Sequence, residues 1–346
     1  MTGISSASVQ GIELEGLRPW FVEVVGRELS RDVSVELIEG GRSNLTYLLR
    51  DGGDAWILRR PPLGHVLATA HDMSREHRVM TALGPTAVPV PHTYALCQDV
   101  SVIGAPFYVM EFVSGAAYRF RTQLEPLGTA RVRRMSEQLV DVLVALHAVE
   151  PASVGLADFG RPEGFLGRQV ARWRHQMHAS RSRPLQGEPQ LHHQLAASVP
   201  TESATAIVHG DYRLDNVLVD DDDRIAAVID WEMATLGDPL TDVALLGIYQ
   251  RLATTMGTSP ALADAAAAPG FLSTGEVLSR YCDASGRSAE GFGFYLGLAA
   301  YKLAAILEGI HYRHLQGQTL GEGFDDVGRL VEPVIDCGLT AMKEYR

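Results

Sequence analysis

Asp230 follows Asn216 by fourteen positions, and the stretch between them can fold in few ways. Val217-Leu218-Val219 and Ile225-Ala226-Ala227-Val228-Ile229 are apolar, strand-prone runs on either side of the acidic turn Asp220–Asp223. Two such runs around a polar turn read as a β-hairpin. A hairpin returns its two ends to one place, so the spacing predicts that Asn216 and Asp230 come side by side. Asp211 lies one loop earlier, at the same end, in His209-Gly210-Asp211-Tyr212-Arg213-Leu214-Asp215-Asn216. The four aspartates of the tip are expected to be a solvated turn.

Phosphoryl transfer needs such a gathering. A carboxylate must take the proton of the attacking hydroxyl, and hard oxygen ligands must hold Mg²⁺ against the phosphates of ATP. Asp and Asn supply oxygen without the thiol or imidazole that would favour softer metals.

Around this segment the chain changes character once. Leu14 to about Leu29 has Leu17, Trp20, Phe21, Val24 and Val25 at helical spacing. Strand-like runs follow at Val33–Glu39, Leu45–Arg50 and Ala55–Arg59, then a polar helix at about Thr69–Leu83, then strands near His92–Cys97 and Pro106–Phe112. Beyond Ser114-Gly115 the pattern is mainly helical, beginning with Arg131–Val149, whose Met135, Leu139, Val142, Leu143 and Leu146 share one face. Ala261–Gly270 reads as an alanine-rich linker. The expected organisation is a β-rich lobe over residues 1–113 and a helical lobe over residues 114–346, an α+β class.

The pattern H-x-D-x-x-x-x-N with a later Asp resembles the catalytic loop and metal-binding Asp of the protein-kinase fold. In the form HGDYRLDN…VIDWE…GDPLTDVA it resembles the aminoglycoside-phosphotransferase and choline-kinase-like families. Within these it is most similar to the subgroup that includes the kinase-like domain fused to some acyl-CoA dehydrogenases. The resemblance covers nearly the whole chain and implies a bilobal protein-kinase-like fold. It implies Asp211 as catalytic base, Asn216 and Asp230 as Mg²⁺ ligands, His209 as organiser of the loop, and Asp242 as a tie from that loop to the next helix. Asp215 would bond local backbone or substrate.

The same resemblance places ATP-binding residues in the first lobe. Ser43 and Asn44, after Gly40-Gly41, would lie near the phosphates. The strand Ala55–Arg59 would carry the phosphate-binding cation. The chain has only two lysines, Lys302 and Lys343, so that cation must be an arginine. Alternation puts Ile57 and Arg59 on one face and Leu58 and Arg60 on the other, so one arginine, Arg59, faces the nucleotide. Glu76 would pair with it. In Tyr108–Gly115 the Glu111 carbonyl and Val113 amide would read the adenine edge, with Met110 lining the pocket.

Other signals carry less. Ala157-Asp158-Phe159-Gly160 spells a metal-binding string of protein kinases, but it stands before His209 where the fold needs that residue after Asn216, so it reads as a surface turn. Glu308, His311 and His314 are spread too far around a helix for a metal site and lack a fourth ligand; they could line an acceptor pocket. A net charge of −12 speaks against nucleic acid and against an anionic membrane surface. No run approaches the length of a membrane span, the three cysteines have no metal or disulfide spacing, and the start has no secretory pattern. A cytoplasmic location is expected; oligomeric state is not readable.

The function expected is an ATP- and Mg²⁺-dependent O-phosphotransferase acting on a hydroxyl of a small molecule, whether an aminoglycoside, a hydroxylated acyl group or another metabolite. Arg59 in place of lysine keeps open a nucleotide-binding module with little catalysis. A protein kinase ranks behind both, since no A-P-E signature or activation segment is visible.

Overall fold

Five antiparallel strands form the sheet of the first unit, in the order β1-β2-β3-β5-β4. They are β1 (Ser34–Leu37), β2 (Leu45–Asp51), β3 (Asp54–Arg60), β4 (Thr93–Cys97) and β5 (Phe107–Glu111). The computed structural model describes residues 10–38, 44–63, 72–201, 203–256, 262–319 and 323–345. Ser43, with residues 39–42 of the expected phosphate-covering segment 38–46, lies outside the described residues.

Strand β3 is buried throughout from Trp56 to Arg60 because both faces of the sheet are covered. One face packs Trp56, Leu58, Tyr47 and Val109 against Leu17 and Phe21, which come from α1 (Leu14–Trp20) and its wider-wound continuation Phe21–Val25. The Phe21 and Trp56 rings meet edge to face at 5.2 Å. The helix stops at Gly26 (φ +74°), short of the expected Leu29, because a left-handed glycine ends it. The other side of the sheet is contacted by α2 (Met73–Leu83), whose N-cap Asp72 accepts from the amides of Ser74 and Arg75.

The compact units are residues 1–114 with 227–232, and residues 115–226 with 233–346. The segment Ala227–Glu232, which carries Asp230, therefore groups with the sheet unit. Within that unit it is held by the Val228 amide, which donates to the Pro89 carbonyl at 2.8 Å.

The second unit is mainly helical: α3 (Arg121–Leu124), α4 (Thr129–Ala148), α5 (Phe165–Ser180), α6 (Glu188–Ala197), α7 (Leu240–Thr255), α8 (Thr274–Ser285), α9 (Phe292–Leu315) and α10 (Val327–Glu344). Its short strands are β6 (Ala206–Val208), β7 (Val217–Val219) and β9 (Thr235–Gly237), while β8 (Ile225–Val228) runs on into the segment grouped with the sheet unit; β6 pairs β9 and β7 pairs β8. Helix α9 is packed by α5, α7 and α10. It is long and apolar enough to cross a bilayer, and 83% of its most apolar window is buried inside the protein.

Two expectations are corrected here. The alanine-rich stretch is not a linker over its described part. Leu262, Ala265 and Ala268 are buried, and the amides of Asp264 and Ala265 both donate to the Arg119 carbonyl at 3.1 Å. The hairpin tip is not wholly solvated either. Asp223 takes a left-handed backbone (φ +64°), which Asp tolerates, and its side chain turns inward to Arg131 and Arg134.

Candidate active site

Alternation along β3 sorts its two arginines as the sequence predicts. Arg60 turns toward the α1 side and spends its guanidinium on the carbonyls of Gly11 (2.5 Å) and Ile103 (3.1 Å). Arg59 turns to the α2 side and meets two carboxylates. Its Nη2 donates to Asp230, and its Nε lies 3.4 Å from Glu76. Cross-strand pairing sets Arg59 beside Tyr108 and Ile57 beside Met110, so these four share a face.

Glu76 is 1% exposed, and three groups share its carboxylate. Besides Arg59, it accepts from the Asn44 amide at 2.9 Å and the Tyr108 hydroxyl at 3.0 Å. Burial raises its pKa above the ordinary value despite the guanidinium. Burial works against the charge of Arg59 too, but Glu76 and Asp230 hold its pKa above the ordinary arginine value. Asn44 also lies 3.4 Å from Glu232. Asp230 itself has φ +65°, an uncommon backbone for a non-glycine residue. Arg59, Glu76, Asn44 and Asp230 thus form one network in the first unit.

Met110 is buried, while Glu111 is exposed and Val113 half-buried. The Glu111 amide donates to the His92 carbonyl at 2.8 Å, and its carboxylate accepts from the His92 amide at 3.2 Å.

In the second unit the loop His209–Asn216 is organised from beneath. Asp242, 1% exposed on the first turn of α7, accepts from the backbone amides of His209 (2.7 Å) and Gly210 (2.8 Å) and is 3.4 Å from His147. Burial alone would raise its pKa. The His147 hydrogen bond, the nearby histidines and the Gly210 amide outweigh this and hold it below the usual carboxylate range. Gly210 has φ +82°, and a Cβ there would come within 2.6 Å of the Met233 carbonyl oxygen, so only glycine fits.

Asp211 is a quarter exposed and is aligned by its neighbours. Asn216, 6% exposed, donates to its carboxylate at 3.0 Å and to its carbonyl at 2.8 Å. The amide nitrogen is thereby committed to Asp211, which leaves the Asn216 side-chain oxygen as its remaining acceptor. Arg213 stands 3.5 Å from Asp211 and 3.1 Å from Asp215, with its guanidinium 5.0 Å from the centre of the Tyr249 ring. Burial raises the Asp215 pKa against the pull of Arg213.

The expected site residues thus fall into two sets. Asn44, Arg59, Glu76, Met110, Glu111, Val113 and Asp230 belong to the first unit, and Asp211 and Asn216 to the second. Asn216 precedes β7 and Asp230 follows β8, as the hairpin reading requires. Sequence reasoning missed Arg213 and Lys302. Arg213 could have been found as the one arginine inside the loop, whereas Lys302 stood out only as one of two lysines, with nothing to tie it to the loop.

The discounted strings have structural work. Asp158 is exposed in a turn, while Phe159 is buried. Glu308 is fully buried and accepts from the amide and hydroxyl of Ser182, both at 3.1 Å, with Arg183 at 3.3 Å. Among the described residues no cluster of three or more His, Cys, Asp or Glu could hold a metal ion.

Comparison with known proteins identifies the family and the fold. The model of the phosphotransferase enzyme family matches residues 34–280. Acyl-CoA dehydrogenase family member 11 of Gallus gallus is 33% identical over 320 residues, covering 90% of this chain and 40% of that protein. The chain spans well under half the length of the curated relatives it matches. A crystal structure from Ralstonia eutropha, provisionally assigned as an aminoglycoside phosphotransferase, superposes with a TM-score of 0.83 at 33% identity, covering 96% of this chain and 99% of that one. A thermostable aminoglycoside phosphotransferase mutant in ternary complex with AMP-PNP and hygromycin B shares the fold, with a TM-score of 0.63 at 17% identity over 94% of this chain and 98% of that one. The chain belongs to the phosphotransferase enzyme family and has its kinase-like fold.

Proposed function

We propose that this protein transfers the γ-phosphoryl group of ATP to a hydroxyl of a small molecule, with Asp211 taking the hydroxyl proton. The observation that carries this reading is the Asp211 carboxylate, partly exposed and fixed by the Asn216 amide at 3.0 Å. A general base must be both accessible and aimed, and Asp211 meets both conditions.

Arg59 is the phosphate-binding cation in this reading, preorganised by Glu76, while Met110, Glu111 and Val113 receive the adenine and Asn44 lies near the phosphates. The Asn216 oxygen and the Asp230 carboxylate are hard donors that fit Mg²⁺. When bound, the ion would neutralise charge on the phosphates. Ser43 and the rest of the phosphate loop remain expectations from sequence.

The test is a screen of aminoglycosides and hydroxyl-bearing metabolites for acceptor-stimulated ADP release, run on the wild type and Asp211→Asn. Loss of the base is expected to lower the rate by about 10²–10⁴-fold. Full retention of transfer by Asp211→Asn would remove the mechanism. A second reading, nucleotide binding without transfer, draws on the engagement of Arg59 by both Glu76 and Asp230. Thermal stabilisation by Mg-ATP with no ADP release across the screen would favour it.

A further inference from the structure

One of the two lysines in the chain lies against the loop that carries Asp211. Lys302, on α9, donates its ammonium to the Gly210 carbonyl, and the same group stands 5.6 Å from the centre of the Trp173 ring on α5. We propose that Lys302 is a positioning residue, holding the Gly210–Asp211 peptide by its ammonium donor at the Gly210 carbonyl. The catalytic half of this inference rests on Asp211 being the proton acceptor.

The loop needs such a hold. Gly210 has no side chain with which to anchor itself, and its φ of +82° and its closeness to Met233 forbid one. Its peptide groups are gripped instead. Asp242 from α7 accepts from the Gly210 amide at 2.8 Å, and Lys302 from α9 donates to the Gly210 carbonyl. Two helices thus fix successive peptide groups immediately before Asp211.

The lysine is a poor choice for stability alone. Burial pushes its pKa down, and Arg172 and Arg213 push the same way, while Asp211 and Asp242 favour the charge. An apolar side chain of similar length would fill the space without the desolvation cost. What the ammonium adds is the bond to Gly210, the cation–π contact with Trp173, and its charge.

The experiment compares the full chain with Lys302→Met, Lys302→Arg and Asp211→Asn. It measures thermal midpoint, amide hydrogen exchange over residues 206–216, and ADP release from Mg-ATP with water as acceptor. Lys302→Met is expected to melt within about 3 °C of the wild type, since the desolvation relieved offsets the bond lost. Exchange at Gly210 and Asp211 should accelerate at least about tenfold. kcat should fall by about 10- to 100-fold, the rate equivalent of one charge-assisted hydrogen bond, with KM for Mg-ATP unchanged within about twofold. Lys302→Arg should restore kcat to within about fivefold of wild type by keeping charge and donor.

Unchanged exchange in the loop, or acceleration spread evenly over the helices, overturns the inference. So does a Lys302→Met kcat equal to that of an active wild type. If the wild type releases no more ADP than Asp211→Asn with water and with every acceptor of the screen, the transfer reading fails, and the loop exchange still decides whether Lys302 holds the peptide. Should Lys302→Met not fold, Lys302→Gln carries the same comparison, keeping a donor without the charge.

Discussion

Asp242 is where the loop meets the helical unit, and replacing it measures how much of the loop's order is borrowed from α7. Its two oxygens are committed separately: Oδ2 accepts from the His209 amide at 2.7 Å and Oδ1 from the Gly210 amide at 2.8 Å. Both are bonds to a charged acceptor, worth about 1.5–3 kcal/mol each. Asp242→Ala leaves two amides without their acceptor, so the expected loss is about 3–5 kcal/mol, a large share of the roughly 5–15 kcal/mol typical of folded proteins. Asp242→Asn keeps one carbonyl oxygen. Whichever way the new amide turns, one backbone N–H then faces an NH₂, so about half that loss is expected, roughly 1.5–3 kcal/mol. The pH dependence has a definite sign. The Asp242 pKa is depressed in the fold by His147 and the Gly210 amide, which overcome burial. Its contribution is therefore complete above the unfolded carboxylate value, about 3.9, and is lost as pH falls through the lower folded value. Urea titrations at pH 7 and in steps below pH 4, with amide exchange at His209 and Gly210, check this. A midpoint for Asp242→Asn within about 0.5 kcal/mol of wild type, with unchanged exchange at Gly210, refutes the reasoning.

The network around Arg59 gives a prediction of opposite pH sign. Arg59→Met strands the buried Glu76 and should cost about 3–5 kcal/mol. The Glu76 pKa is already raised by burial, so its contribution favours folding at low pH and fades as pH rises through the folded value. The defect should therefore be smaller at pH 5 than at pH 8, and Arg59→Met combined with Glu76→Gln should recover part of it; equal urea midpoint shifts at the two pH values would contradict this. At the start of α8, Ser273 and Glu276 form a reciprocal cap, with Arg133 at 2.7 Å from Glu276. Hydrogen bonds from the Ser273 amide and hydroxyl and from Arg133 lower the Glu276 pKa from 4.5 to about 2. The cap should persist above pH 4.5 and weaken as pH falls toward 2; a side-chain carboxyl titration by NMR with a midpoint above about 4 would rule it out.

What was legible in the sequence follows from what kind of partner each residue has. The choice between Arg59 and Arg60 was readable because strand alternation is strict and sheet burial enforces it. The hairpin was readable because two apolar runs around a turn admit one closure. Glu76 was placed only by the family resemblance, because a glutamate on a polar helix reads equally as an exposed charge; its burial against Arg59 is visible only in the fold. Asp223 misled, since a run of four aspartates looks solvated, while the left-handed turn delivers the last one to Arg131, 92 positions earlier.

Lys302 was invisible for a deeper reason. Helix α9 is apolar on most of its surface, so its pattern announces burial but not which turn meets the loop. Its partner, the Gly210 carbonyl, belongs to a group that every residue possesses and that no residue type identifies. An ion pair leaves two signatures in a sequence, one for each charge. A side chain that holds a backbone carbonyl leaves one, and that one is indistinguishable from a surface lysine. Of the two side chains that hold this loop by its backbone, the resemblance therefore pointed to Asp242, which lies within the quoted motif, and gave no sign of Lys302, which stands on a distant helix.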